Sequence, residues 1–130
     1  MTRQRNTRQR EILLDLLQQE GRPLAVQELH DAAKKELATI SLGTVYRALK
    51  TFQEEGLIEE VEIPGHALRY ERADLPHHHH FHCLQCDRVY DMDHCIGDVV
   101  KLAPDGFDVQ THYILLSGTC ADCQNDPNTQ

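Results

Sequence analysis

The sequence predicts an α+β protein built in two parts, and three observations carry that expectation. Apolar residues recur at helical spacing in three segments before residue 56, and an alternating hairpin pattern follows them. Past Asp74-Leu75-Pro76 the composition changes, and histidine and cysteine dominate among short β-like runs. The charge changes too: residues 1–53 hold nine Lys/Arg against six Asp/Glu, and residues 54–130 hold four against fifteen. The expected organisation is a first domain at 1–73, a linker at 74–76 and a second domain at 77–130.

In the first part, EILLDLLQ (11–18) places Ile12, Leu13, Leu16 and Leu17 on one face of a helix, which Gly21-Arg22-Pro23 ends. A second helix is expected to begin near Ala25, burying Val26, Leu29, Ala32 and Ala33. In SLGTVYRALKTFQEEGLI, Ser41 is the expected N-cap and Gly56 the stop, with Leu42, Val45, Leu49 and Phe52 facing the core. Residues 57–63 and 67–71 alternate as strands around a Pro64-Gly65 turn. Three helices followed by a two-stranded hairpin is the plan of a winged helix-turn-helix domain, whose third helix enters the DNA major groove. Thr44, Tyr46, Arg47 and Lys50 lie off the core stripe of that helix and are residue types that grip phosphates or read bases. The plainer alternative is an exposed polar helix face.

Net charge is −8, yet the first ten residues carry Arg3, Arg5, Arg8 and Arg10 and no acid. Such asymmetry fits an N-terminal part that meets phosphate and a C-terminal part that holds cations. No apolar run approaches the roughly 18–20 residues that span a bilayer. MTRQRNTRQR lacks the apolar core of a secretion signal. A cytoplasmic protein with no membrane association is expected, and there thiols stay reduced, so paired cysteines favour metal over disulfide. Neither half could bury a large core alone, and a structural metal or a dimer interface would compensate.

In the second part, short β-like runs are expected around one helix at about 96–103, with THYILLSGTC as the best strand and QNDPNTQ as a loose tail. Cys83-Leu84-Gln85-Cys86 and Cys120-Ala121-Asp122-Cys123 are two CxxC pairs separated by 33 residues. They can supply the four thiolates of a closed, tetrahedral structural zinc site, which would staple the start of this part to its end; two redox-active pairs or unligated thiols are the alternative. Cys95 is left over. It reads first as a small buried hydrophobe, with a redox or metal role as the alternative raised by Asp91, Asp93 and His94.

HHHHFH (77–82) is the other unusual run. On a strand, successive side chains point to opposite faces. His77 and His79 would face one way, and His78, His80 and His82 the other. Such a run contributes ligands to two sites rather than one. Glu71, Asp91 and Asp98 are candidate carboxylates, and His112 could return from the last strand. The plain alternative is a solvated polyhistidine loop.

Together these features resemble the ferric uptake regulator family of bacterial metal-responsive repressors. GTVYRAL and LKTFQEEGLI are similar to the family's recognition helix and its exit, HHHHFHCLQC to its His-rich segment and first cysteine pair, and GTCADC to its second pair. The resemblance spans about residues 7–123. It implies a winged-helix DNA-binding domain followed by a small α/β dimerisation domain. It also implies a homodimer on a double-stranded operator with two-fold related half-sites. Tyr46 and Arg47 carry over as DNA contacts, and the four paired cysteines as structural zinc ligands. Glu71, His78, His80 and Asp91 carry over as a regulatory site for Fe²⁺, Mn²⁺ or Zn²⁺. His77, His79, Asp98 and His112 carry over as an additional metal site.

Two departures bear on specificity. Many family members have a further regulatory histidine just before the second helix. Here the stretch is Arg22-Pro23-Leu24, and His30 lies about two turns further on. The regulatory site is then four-coordinate, weaker, or completed by water. Position 91 is Asp, usual in peroxide-sensing members where iron sensors usually carry Glu, although peroxide sensors also use the missing histidine; Ala73 stands near where zinc sensors often have a cysteine, while the four-His run is similar to that of some zinc sensors. The expected function is a metal-dependent repressor of metal-homeostasis or peroxide-stress genes, with iron or peroxide sensing ahead of a zinc-uptake type of sensor. A metal buffer or chaperone is a remote alternative, since it has no use for TVYRALK. A metallohydrolase lacks any marked general base, so no enzyme is expected.

Overall fold

Leu13 and Leu17, one helical turn apart, are fully buried on α1, which runs over Thr2–Gln19. The computed structural model describes residues 2–125. The side chains of Arg3 and Arg5 and the tail at 126–130 lie outside that description. The described chain divides into two compact units between Leu75 and Pro76.

The first unit follows α1 with β1 (Leu24–Ala25), α2 (Val26–Ala33), α3 (Leu42–Glu54), β2 (Ile58–Val61) and β3 (Arg69–Arg72). Gly21, at φ 65°, takes the left-handed conformation that ends α1. The Glu28 carboxylate accepts from the Ala25 N–H at 3.1 Å and starts α2. The Ser41 hydroxyl accepts from the Thr44 N–H at 3.1 Å and caps α3. β3 lies between β1 and β2 in an antiparallel sheet, with Glu60 opposite Tyr70 and Leu24 opposite Tyr70 on the other edge. Leu13, Leu17, Leu29, Ala33, Val45, Leu49, Phe52 and Ile58 form one core. Arg10 is anchored to α3's end by two bonds to Glu55, at 2.7 and 2.6 Å, and its guanidinium stacks over Phe52. His30 is buried, and its Nε2–H donates to the Ile40 carbonyl at 2.8 Å, so it ties α2 to the loop before α3.

The second unit has β4 (His79–Cys83), β5 (Val89–Met92), a 3-10 helix at Asp98–Leu102, β6 (Leu115–Gly118) and α4 (Ala121–Gln124). β4 is central, antiparallel to β5 and parallel to β6. The helix expected at about 96–103 is thus a single 3-10 turn. Gly97, in the left-handed region at φ 77°, starts it and Pro104 closes it, leaving too few residues for an α-helix. The long strand expected from THYILLSGTC shortens to Leu115–Gly118 because its partner strand begins at His79. The buried apolar set of this unit is small: Cys83, Val89 and Cys120. Ile96, Leu102 and Phe107 are exposed, at 78, 84 and 70%.

Candidate metal centres

The four paired cysteines converge. Cys83 closes β4, Cys86 sits in the following turn, and Cys120 and Cys123 lie at the start and within α4. The Sγ atoms of Cys83 and Cys123 are 3.8 Å apart, and those of Cys86 and Cys120 are 3.9 Å apart. A zinc ion about 2.3 Å from each sulfur sets the edges of its tetrahedron at about 3.8 Å. A disulfide needs about 2.05 Å, so these are thiols at metal-ligand spacing. Backbone N–H groups of Cys86 and Cys120 point at the Cys83 sulfur, at 3.5 and 3.3 Å. Desolvation opposes ionisation of Cys83, but these N–H groups outweigh it and hold the thiol down to about 6. Cys123 is pushed up to about 12 by desolvation and then by the neighbouring thiols. Four crowded thiols cannot all ionise unaided, and a divalent cation supplies the charge that lets them.

The knuckle is buttressed by a residue whose role the sequence left open. His82 is buried, and its Nε2 lies 2.7 Å from the Asp87 carboxylate. Asp87 itself turns the chain in the left-handed region, at φ 65°, and its N–H returns to the Cys83 carbonyl at 2.9 Å.

A second constellation lies where β4 meets β5. His80 is paired in register with Asp91, and their side chains meet too, with His80 Nε2 3.1 Å from Asp91 Oδ1. His78 Nε2 is 3.5 Å from the same oxygen. The tautomer of His78 follows from its other ring nitrogen. His78 Nδ1 is 2.7 Å from the Pro76 carbonyl, which can only accept, so the proton is on Nδ1. His80 Nδ1 is 2.9 Å from the Tyr113 hydroxyl, which can donate or accept and holds the ring's orientation. The His78 Nε2 lone pair is thereby aimed at a carboxylate that His80 Nε2 also faces, an arrangement that suits a cation. Tyr113 was not visible as a participant in the sequence. Its only signal is its place just before β6, the strand parallel to β4. Tyr113→Phe should keep the fold and weaken divalent-metal affinity about tenfold, the usual cost of removing an orienting partner. Competition against a chromophoric chelator measures this. Glu71, the remaining residue of this predicted set, is a buried carboxylate on β3 in the first unit.

On the alternate histidines, His77 Nε2 is 3.1 Å from His112 Nε2, and the ring centroids of His77 and His79 are 4.6 Å apart. Cys95 joins them, its Sγ 3.1 Å from His112 Nε2. Asp98, expected in this group, is not brought to it. Asp98 is exposed on the 3-10 helix, 3.9 Å from the Lys101 ammonium. The left-handed Gly97 turns the chain between the two positions. Desolvation, and then the neighbouring imidazoles, hold the His79 pKa below its usual range, which keeps the ring in its neutral, ligating form.

On α3, Tyr46, Arg47 and Lys50 are exposed while Val45, Leu49 and Phe52 are buried. Thr44 is half-buried and accepts from Arg47 Nη2 at 3.1 Å. The helix therefore presents the four residues named above away from the core.

Comparison with known proteins decides the family. A model of the ferric uptake regulator family matches residues 2–117. The chain belongs to the ferric uptake regulator family. It is similar to the ferric uptake regulation protein of Campylobacter jejuni, at 28% identity over 124 residues, covering 92% of this chain and 79% of that protein. Its fold is similar to that of a zinc-bound manganese uptake regulator, with a TM-score of 0.78, 28% identity, and coverage of 86% and 87%. It is also similar to the Helicobacter pylori ferric uptake regulator, described as having three functional metal-binding sites: TM-score 0.70, 25% identity, coverage 93% and 83%. As a ferric uptake regulator family member the chain is a metal-responsive transcriptional repressor and not an enzyme. It has the family's N-terminal DNA-binding and C-terminal dimerisation domains, and family regulators bind DNA as dimers. Among the described residues, no helix is long and apolar enough to cross a membrane.

Proposed function

We propose that this regulator is a cytoplasmic homodimer whose affinity for a palindromic operator is set by one divalent metal bound by His78, His80 and Asp91 of the second unit. The observation that carries the reading is the convergence of His78 Nε2 and His80 Nε2 on the Asp91 carboxylate, at 3.5 and 3.1 Å, with the two rings held from behind by the Pro76 carbonyl and the Tyr113 hydroxyl. Two imidazoles with a carboxylate form a mixed nitrogen and oxygen set that suits Fe²⁺ or Mn²⁺, and a set of this kind also accepts Zn²⁺. Titrating the metal-stripped, zinc-stapled protein with each ion and following operator binding ranks the three. A structural zinc at Cys83, Cys86, Cys120 and Cys123 is the second metal of the reading, and His77, His79 and His112 belong to a third. The exposed apolar residues Ile96, Leu102 and Phe107 support an interface between copies on the second unit.

DNA contact is assigned to Thr44, Tyr46, Arg47 and Lys50 on the exposed face of α3. Arg47→Ala should weaken binding to a two-fold symmetric operator about tenfold, at the low end of what one base-reading arginine contributes. Binding of the parent protein should fall as salt rises, because phosphate contacts release counterions. Fluorescence anisotropy reads both effects. Equal affinities of the Arg47→Ala variant and the parent would remove α3 from the interface.

A further inference from the structure

We propose that Cys95 is a metal ligand. With His77, His79 and His112 it forms a thiolate-bearing site that takes zinc or another thiophilic ion in preference to Mn²⁺ or Fe²⁺. The inference does not depend on DNA binding and goes beyond the reading above, which leaves this cysteine without a role.

Geometry comes first. One ligand atom from each of the four residues lies within 4.8 Å of all the others. His112 Nε2 is 3.1 Å from both His77 Nε2 and Cys95 Sγ. Around a tetrahedral zinc, adjacent nitrogens sit about 3.3 Å apart, and nitrogen and sulfur about 3.6 Å. An imidazole nitrogen has one lone pair or one N–H, so His112 Nε2 cannot serve two such neighbours by hydrogen bonding. A cation among the three accounts for the convergence.

His79 supplies a second and independent observation. It is 1% exposed, its Nδ1 accepts from the Ile114 N–H at 3.1 Å, and its Nε2 has no hydrogen-bond partner among the described residues. A histidine buried only for packing normally satisfies both nitrogens. In this state Nε2 carries the proton. A metal is taken at Nδ1, in place of the Ile114 N–H, or at Nε2 once the ring proton has moved to Nδ1 and displaced the Ile114 bond, so the ring stays neutral in either case. Cys95 releases its thiol proton as the sulfur–metal bond forms. The chemical class follows from the donor set. Three imidazoles and a thiolate are soft and borderline donors, which favour zinc, whereas Mn²⁺ prefers carboxylate and water oxygen.

The test is alkylation of the full-length protein carrying its structural zinc. Cys95 modification by iodoacetamide is followed by peptide mass spectrometry, with and without added Zn²⁺ or Mn²⁺. Added Zn²⁺ should slow modification of Cys95 on the order of tenfold or more, because a metal-bound thiolate is withdrawn from reaction, and Mn²⁺ should leave the rate unchanged. His112→Ala should abolish the protection, while His80→Ala, which alters the other histidine site, should retain it. Alkylation of Cys95 at one rate with and without Zn²⁺ would overturn the proposal. So would protection that survives His112→Ala, and equal protection by Mn²⁺ would overturn the assigned ion class. A second readout does not need the His112 variant to fold. Cobalt added to the zinc-stapled parent should give a sulfur-to-cobalt charge-transfer band that Cys95→Ser lacks, and an unchanged band in that variant rejects the ligand.

Discussion

Replacing Cys120 with serine should release the structural zinc and unfold residues 76–125 while the first unit stays folded. The second unit has little else to hold it. Its buried apolar residues are Cys83, Val89 and Cys120, and its remaining buried side chains on β4 are the polar imidazoles of His79, His80 and His82. A structural zinc contributes about 10–16 kcal/mol of apparent binding free energy. A whole domain is stable by only about 5–15 kcal/mol. Removing the ion therefore outweighs the stability of this unit. Cys120 is the most informative of the four positions. It caps α4, its N–H reaches the Cys83 sulfur at 3.3 Å, and its own sulfur faces Cys86 at 3.9 Å. Serine keeps the cap and the backbone but not the soft ligand. Metal analysis should show the loss of the zinc equivalent, and nuclear magnetic resonance should show collapsed dispersion for residues 76–125 with α1–α3 retained. Cooperative unfolding of both units at the parent temperature would reject a folding role for the ion.

The first unit was legible because its periodicities are long and its punctuation strong. Ser41, Gly56 and Pro64-Gly65 mark the ends of α3 and the hairpin, and the observed core residues Val45, Leu49 and Phe52 are those of the apolar stripe. What escaped was short or unpatterned. β1 is two residues, Leu24–Ala25, directly after the Gly21-Arg22-Pro23 stretch that reads as a helix stop. α1 extends back to Thr2 through polar residues that carry no stripe. In the same stretch Arg22 pairs with Glu28 at 2.8 Å, a structural role for a position where the family often places a ligand.

In the second unit alternation along β4 and the two residues before it separates His77 and His79 from His78 and His80, because side chains of extended backbone obey a period of two. The partners those rings meet come from elsewhere in the chain, and periodicity says nothing of them. Tyr113 and the Pro76 carbonyl orient His80 and His78, and neither has a motif. Cys95 lies with His112, and Asp98, carried over from the family resemblance, lies on the 3-10 turn beyond the left-handed Gly97.

His80→Ala should uncouple DNA binding from metal without impairing DNA binding itself. In the parent, divalent metal should raise operator affinity about 100-fold, near the upper end of ordinary coupling energies of about 1–3 kcal/mol. In the variant that ratio should fall to about threefold or less, while the metal-free affinities stay equal. The reason is local. His80 is 4% exposed, its backbone N–H bonds to the Ile114 carbonyl at 3.1 Å, and it pairs in register with Asp91 and Leu115. Alanine keeps those main-chain bonds and so leaves the sheet intact. Only the imidazole is lost, and with it one of the two nitrogens facing Asp91. A ligand shifts an equilibrium only by its differential affinity for the two states, so a site that no longer holds the ion cannot favour the DNA-competent form. Arg47→Ala provides the contrast, because it should lower affinity with and without metal by the same factor. Asp91→Asn should behave as His80→Ala does, since the neutral amide no longer compensates the ion. Anisotropy titrations of labelled operator across a range of Mn²⁺ concentrations separate the two patterns. A His80→Ala protein that still gained affinity 100-fold with metal would move the switch to another site.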